Sequence, residues 1–328
     1  MIYLLECFTR MNILYNDFGR LRSGWRLLIY ALPFYFLTNI LAVAVRVLYQ
    51  LTLPWPIPHR QFVFELIFRS GLLIFALGLG FICATVLEDL PWRSLGLTLH
   101  KGWFKDLAIG FGLGFAALAA AVVIAIKGFN FSLSKDGLVS VVTSMIGSAG
   151  LLFVAALAEE AMFRGYGLQT LSRANLAWLG VLLTSVPFGV VHLDNPNVVP
   201  GVTFANTVLA GVWMSIAYLR TRSLWFPLGI HWSWNWALGW FFGLPVSGLT
   251  LVSHPLFVAT DSGPKWLTGG SYGIEGGVAA MISLIIVTIF VWRTSIVSAT
   301  PELMKMTSEE NPANTGPVLN IRTADDQA

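Results

Sequence analysis

Long apolar segments alternate with short polar segments along almost the whole chain. A helix that crosses a bilayer needs about 20 predominantly apolar residues, and eight segments approach that length. They cover about 27–50, 62–86, 106–127, 139–163, 174–192, 202–219, 225–243 and 275–294. The pattern therefore predicts an all-α, polytopic membrane protein with about eight transmembrane helices.

The composition of the chain agrees with this prediction. Of its 328 residues, 56% are hydrophobic and 11% are charged, whereas soluble domains carry about 25% charged residues. The spans leave little chain for a separate soluble domain. The two cysteines, Cys7 and Cys83, are far apart in sequence, so we infer neither a disulfide framework nor a cysteine metal site.

Three regions follow from the pattern. Residues 1–26 are expected to form an amphipathic segment that lies on the membrane, residues 27–296 the transmembrane domain, and residues 297–328 a disordered cytoplasmic tail. Basic residues are concentrated before the first span and in alternate loops, which by the positive-inside rule makes both termini cytoplasmic. The long connection at about 244–274 is then external. We expect an integral, multi-pass protein of a bacterial inner membrane.

Polar residues interrupt the apolar pattern at the end of the fourth span. Glu159, Glu160 and Arg164 occur there in the sequence EEAMFR, and ionisable residues within a membrane are costly and usually functional. On a helix, Glu160 and Arg164 are four residues apart and suit an ion pair. Glu159 is turned by about 100° at 3.6 residues per turn. We therefore predict that Glu160 and Arg164 brace the helix and that Glu159 faces a separate cavity.

Two further polar groups lie in later spans. His192 ends the sequence FGVVH, and His231 and Asn235 are four apart in HWSWN, on one helical face. Glu159 with His192 could hold and deprotonate a water molecule, while His231 and Asn235 could donate hydrogen bonds to an oxyanion. Each group alone also fits a structural role, as an ion pair, a packed histidine or part of an aromatic belt. Their joint occurrence on three helices favours peptide-bond hydrolysis.

Another pair at four-residue spacing lies in the second span, where the pattern favours a structural role. We interpret Glu65 and Arg69 as a structural ion pair.

The motifs EExxxR, FxxxH and HxxxN on successive helices resemble those of the CPBP family of intramembrane proteases. This family is also called the Abi or CAAX prenyl protease type 2 family, and the resemblance covers about 139–243. It implies a helical bundle around a polar intramembrane cavity and the activity of a CAAX endopeptidase-like hydrolase. It implies that Glu159 and His192 activate the water, that His231 and Asn235 stabilise the oxyanion, and that Glu160 and Arg164 support the site.

The expected partners are the lipid bilayer and a membrane-associated protein or peptide substrate, with prenylated CAAX-type proteins among the candidates. No nucleic-acid partner is expected. The second hypothesis is a catalytically idle membrane scaffold or bacteriocin-immunity protein of the same fold. A transporter would use the same buried charges, but no pair of broken helices supports it, and we rank it last.

A metal ion is a separate question. Glu159, His192 and His231 are candidate ligands of Zn²⁺ with an open position for water, and the family is often described as metalloproteases. However, the sequence contains no HExxH, and Asn235 suits an oxyanion donor better than a zinc ligand. We therefore favour a site without a cofactor and keep Zn²⁺ as the alternative.

The predicted span limits raise one geometric difficulty. They place Glu159 near the cytoplasmic end of its span and His192 near the outer end of the next. If the fourth helix continues to Arg173, Glu159 lies about 21 Å in from that residue, at about 1.5 Å per residue. His192, counted likewise from Arg173, would lie about 28 Å in. The side chains could meet if the fifth helix starts late or the loop after Arg164 dips inwards.

Overall fold

The computed structural model describes residues 13–308, and helices dominate this part of the chain. The structure confirms the prediction of a mainly helical fold with apolar helices. In chain order the helices are α1 Ser23–Leu51, α2 Arg60–Glu88, α3 Trp103–Ile124, α4 Leu138–Arg173, α5 Ala177–Val191, α6 Val202–Thr221, α7 Trp225–Trp236, α8 Lys265–Thr268, α9 Val278–Arg293 and α10 Pro301–Thr307.

Five of these helices, α1, α2, α3, α4 and α6, are long and apolar enough to cross a membrane. The apolar helices α5 and α9 are shorter, with 15 and 16 residues, and α7 has 12 residues followed by a π-helical turn. The eight predicted spans coincide with these eight helices. That each of the eight crosses the bilayer stays a prediction.

Helix α4 is longer than its predicted span. It was expected to end at about residue 163, but it continues through a π-helical segment, Ala161–Gly167, and then as an α-helix to Arg173. Short π-helical segments are rare and are frequent at functional sites. Because this helix reaches Arg173, Glu159 lies about 21 Å from its end at 1.5 Å per residue. Helix α5 begins only at Ala177, so His192 lies about 22 Å from the start of α5, and the two residues reach a similar depth.

Helix α7 packs closely against α3, and this pair shares the most extensive helix contact in the described part of the chain. The contact is made at glycines: a Cβ atom on Gly110 or Gly229 would clash with the backbone of the facing helix, and one on Gly114 would clash with the carbonyl oxygen of Ile230. Small residues allow this close approach of membrane helices. The position of α7 is therefore tightly constrained on this side.

On its other side, α7 is tied to α4 by three tryptophans spaced four residues apart. The indole Nε1 of Trp232 donates to the carbonyl of Ala149 at 2.9 Å. Trp236 and Trp240 donate in the same way to carbonyl groups one and two turns earlier in α4, at 3.3 and 3.1 Å. Helices α4 and α7 carry Glu159, Glu160, His231 and Asn235, so this row of hydrogen bonds helps to fix the site.

Two short antiparallel strands add a feature that was not predicted. β1 Phe129–Leu133 follows α3 and pairs with β2 Phe257–Asp261, with Phe129 opposite Asp261 and Leu133 opposite Phe257. The pairing joins the connection before α4 to the long connection before α9. Hydropathy detects segments of about 20 residues, so it gave no signal for these five-residue strands.

The structure also differs from the predicted disordered tail at its start. Helix α10 begins after Thr300, whose side chain accepts a hydrogen bond from the backbone of Leu303, and Leu303 itself is buried. The capped start and the burial of Leu303 and Thr307 favour this turn against the protein. The remainder of the predicted tail, 309–328, and residues 1–12 of the predicted amphipathic segment lie outside the described residues, while α1 begins at Ser23.

Candidate active site

The two consecutive glutamates of α4 are paired with different arginines. Oε1 of Glu159 accepts a hydrogen bond from Nη1 of Arg69 on α2, at 3.0 Å. Oε1 of Glu160 accepts one from Nη1 of Arg164, at 3.1 Å, and both of these side chains are fully buried. The predicted ion pair between Glu160 and Arg164 is present.

Arg164 connects three helices through its buried guanidinium. Its Nη2 donates to the carbonyl of Gly211 on α6 at 3.0 Å. The guanidinium also lies over the ring of Phe188 on α5, 4.7 Å from the centroid, a distance suited to a cation–π interaction. The arginine therefore ties α4 to α5 and α6 next to the glutamates, which is the bracing role that the spacing predicts.

His192 lies directly after the last residue of α5 and is hydrogen-bonded to carbonyl groups of the last turn of that helix. Its backbone N–H donates to the carbonyl of Gly189, and the carbonyl of Phe188 lies 2.7 Å from Nδ1 of the imidazole. Because a carbonyl oxygen only accepts hydrogen bonds, Nδ1 carries the proton, and Nε2 of a neutral ring is an acceptor. Phe188 thus contacts Arg164 with its ring and holds His192 with its backbone.

His231 on α7 lies between the two glutamates. Its Nδ1 is 2.9 Å from Oε1 of Glu160, and its Nε2 is 3.7 Å from Oε2 of Glu159. A carboxylate accepts at Nδ1, so Nε2 can donate a hydrogen bond only when the imidazole carries both protons. The sequence predicted an oxyanion donor at His231 but did not predict its contact with Glu160.

A single cavity of about 590 Å³ brings the remaining predicted residues together. Glu159, His192, His231 and Asn235 all line it, from helices α4, α7 and the end of α5. Its volume falls in the range of small-molecule and cofactor pockets. Its other walls are largely apolar side chains of α1, α2, α5 and α6. His192 and Glu159 both line this space.

Arg69 lies at this site although its sequence pattern predicts only a structural role. The predicted ion pair with Glu65 exists, at 3.5 Å between Nε of Arg69 and Oε2 of Glu65. However, Arg69 also contacts Glu159, and both Glu65 and Arg69 line the cavity. The signal was the cost of an ionisable residue in a membrane span, the same argument that pointed to Glu159.

The metal alternative requires three protein ligands around one point. Among residues 13–308 no group of three or more His, Cys, Asp or Glu side chains is placed to hold a metal ion. Glu159, His192 and His231 thus do not form a three-ligand group in the described structure. Zn²⁺ binding by these residues stays a prediction, and we derive no step through a metal.

Comparison with known proteins bears on the central part of this chain. Residues 141–237 match the family model described as Type II CAAX prenyl endopeptidase Rce1-like. The resemblance to this family that the motifs predict is confirmed for these residues. The matched segment contains every residue of the predicted site, from Glu159 to Asn235, and ends before α9. A search of curated proteins gives no match.

The match and the helices together define the class of protein. The matched family is a family of proteases, and five helices have the length and apolar composition of membrane spans. The chain is thus an integral membrane protein with a central segment that matches a CAAX prenyl endopeptidase family. Helix α2, which supplies Arg69, lies outside that segment.

Proposed function

We propose that this protein is an intramembrane endopeptidase that hydrolyses a peptide bond in a membrane-associated protein or peptide. The observation that carries the proposal is that Glu159, His192, His231 and Asn235 line one cavity within a bundle of apolar helices. These side chains supply the acceptors and donors that peptide-bond hydrolysis needs, and the match to a protease family supports the same activity.

In the proposed reaction, a water molecule lies between Glu159 and Nε2 of His192. As its oxygen attacks the substrate carbonyl carbon, one proton passes to Glu159, which acts as the general base. His231, with a proton on each ring nitrogen, and Asn235 donate hydrogen bonds to the carbonyl oxygen as it becomes an oxyanion. The carbon–nitrogen bond then breaks, and the proton is delivered to the leaving amine, giving a carboxylic acid and a free amine.

Glu160 and Arg164 support this reaction without contacting the substrate. Both are fully buried behind the cavity, and Glu160 holds His231 through Nδ1. That contact presents Nε2 of His231 to the cavity, where the oxyanion would form. We therefore assign Glu160 and Arg164 as positioning residues.

We further propose the membrane arrangement predicted from the sequence: eight spans around the site, both termini in the cytoplasm and a bacterial inner membrane as the location. The largely apolar cavity walls suit a substrate that arrives from the bilayer. A prenylated CAAX-type peptide and a transmembrane peptide are the two substrates to test.

The test is cleavage of both peptides by the purified protein in detergent. We expect Glu159→Gln to abolish cleavage, because the amide cannot accept the proton. Asn235→Ala is expected to lower kcat by about 100-fold or more, the usual cost of one oxyanion donor. Glu302→Gln is the control, since this carboxylate is exposed and pairs with Arg93, and it should cleave normally.

Two results would contradict the proposal: a wild-type protein that cleaves neither peptide, or a Glu159→Gln variant as active as wild type. A catalytically idle scaffold of the same fold makes a different prediction. It would retain its biological function in a strain that carries Glu159→Gln.

A further inference from the structure

Arg69 is the feature of the cavity that the proposed reaction leaves unexplained. It lies on α2, outside the segment that matches the protease family, and within the described residues it is the one arginine or lysine that lines the cavity. Its guanidinium contacts two carboxylates, Glu159 at 3.0 Å and Glu65 at 3.5 Å. The proposed reaction gives no role to this cation, although it contacts the general base, Glu159.

The geometry separates the two oxygen atoms of Glu159. Oε1 accepts from Arg69, while Oε2 lies 3.7 Å from Nε2 of His231. The carboxylate is therefore tethered on one side, and its other oxygen is directed towards the groups that would handle the water and the oxyanion. Without the tether, the side chain could rotate about its terminal bond, whose rotamers are broad.

The neighbouring glutamate does not share this tether. Glu160 has its own arginine, Arg164. Each glutamate of the pair is thus held by a different guanidinium: Glu160 by that of Arg164 on the same helix, and Glu159 by that of Arg69 on α2. This division explains why two consecutive carboxylates can both be placed close to His231 in different orientations.

Glu65 completes the arrangement by holding Arg69 in turn. The two residues are four apart on α2, and both side chains are partly exposed, at 33% and 21%. An arginine presents five N–H donors in a rigid planar fork and can serve two carboxylates at once. Lysine keeps the charge but lacks that fork, so it can replace only part of the function.

We propose that Arg69 is a positioning residue of the protease site: it holds Oε1 of Glu159 and so directs Oε2 at the catalytic water, while Glu65 fixes Arg69. This inference rests on the proposed function, and it extends the site beyond the matched segment to α2. Arg69 acts through Glu159 and takes no proton itself.

Kinetics of Arg69→Met and Arg69→Lys test the proposal. A misplacement of about 1 Å in a catalytic group can cost about 100-fold in rate. We expect Arg69→Met to lower kcat by about that factor while KM changes little, because the carboxylate is misdirected and the binding walls are intact. Arg69→Lys should recover part of the lost kcat, and Glu65→Gln should show a smaller loss than Arg69→Met.

The matched control is Arg60→Met on the same helix. Arg60 bonds to Thr52 and to backbone carbonyls of the preceding loop, away from the cavity lining, so kcat should stay within about twofold of wild type. A purely structural role for Arg69 would instead lower the amount of folded protein and leave kcat per folded molecule unchanged. That result, or a loss confined to KM, would overturn the proposal.

A second measurement does not depend on protease activity. The melting temperatures of Arg69→Met, Glu159→Gln and the double variant form a double-mutant cycle. We expect the double variant to melt at a higher temperature than the sum of the two single shifts predicts. Either single change already breaks the contact between Arg69 and Glu159, so the second change cannot break it again. Additive shifts would refute the tether. An inactive wild type with coupled shifts would refute the proposed function alone.

Discussion

Nδ1 of His231 lies 2.9 Å from Oε1 of Glu160, the same oxygen atom that accepts a hydrogen bond from Arg164 at 3.1 Å. A single carboxylate oxygen thus joins α4 to α7 at the centre of the bundle. The consequence is that Glu160 is needed both to balance a buried charge and to place an imidazole next to Glu159.

Replacement of Glu160 by glutamine should be strongly destabilising. The amide keeps a hydrogen-bond acceptor but removes the charge that pairs with the fully buried Arg164. Breaking a buried ion pair by removing one partner costs about 3–5 kcal/mol. We expect a loss of this order in the free energy of unfolding, measured by chemical denaturation in detergent.

The double variant Glu160→Met with Arg164→Met is the matched control for this prediction. It removes both charges together, and such apolar replacement of a buried pair is often nearly neutral. We expect it to be more stable than Glu160→Gln. If the single variant were as stable as wild type, the ion pair would not have the structural role assigned to it.

Glycine at position 114 should be required for the contact between α3 and α7. A Cβ atom there would clash with the carbonyl oxygen of Ile230 and the side chain of Ser233. We expect Gly114→Ala to cost about 1–3 kcal/mol, as overpacking usually does, and to lower kcat because His231 is next to the clash. Thermal unfolding and peptide cleavage measure the two effects.

Gly112 supplies the comparison on the same helix, since a Cβ atom at that position meets nothing within 4 Å. Gly112→Ala is expected to be neutral, or to stabilise the protein by up to about 1 kcal/mol through helix propensity. Equal effects of the two substitutions would show that the close packing of α3 and α7 does not limit stability.

Chelation should leave the activity unchanged. Among residues 13–308, Glu159, His192 and His231 do not form a group of three side chains placed to hold a metal ion. We therefore expect the purified protein to cleave its peptide at the same rate after dialysis against EDTA and 1,10-phenanthroline. Loss of activity that returns specifically with Zn²⁺ would favour the zinc alternative.

The sequence by itself determined the helices and the membrane class, because the segments that form them are long and apolar. It also identified Glu160 and Arg164 as a pair, since two side chains four residues apart on one helix meet whatever surrounds them. The motifs around Glu159, His192 and His231 were sufficient to predict the family. Each of these conclusions depends on local spacing or on a match of short motifs.

Contacts between helices were decided only by the tertiary structure. Glu159 pairs with Arg69, which lies 90 residues earlier in the chain. Glu160 contacts His231, 71 residues later, in addition to Arg164. The continuation of α4 through Ala161–Gly167 to Arg173 likewise depends on packing against its neighbours. Periodicity indicates which face of a helix is apolar. The packing of the whole bundle decides which helix contacts that face and at what depth along it.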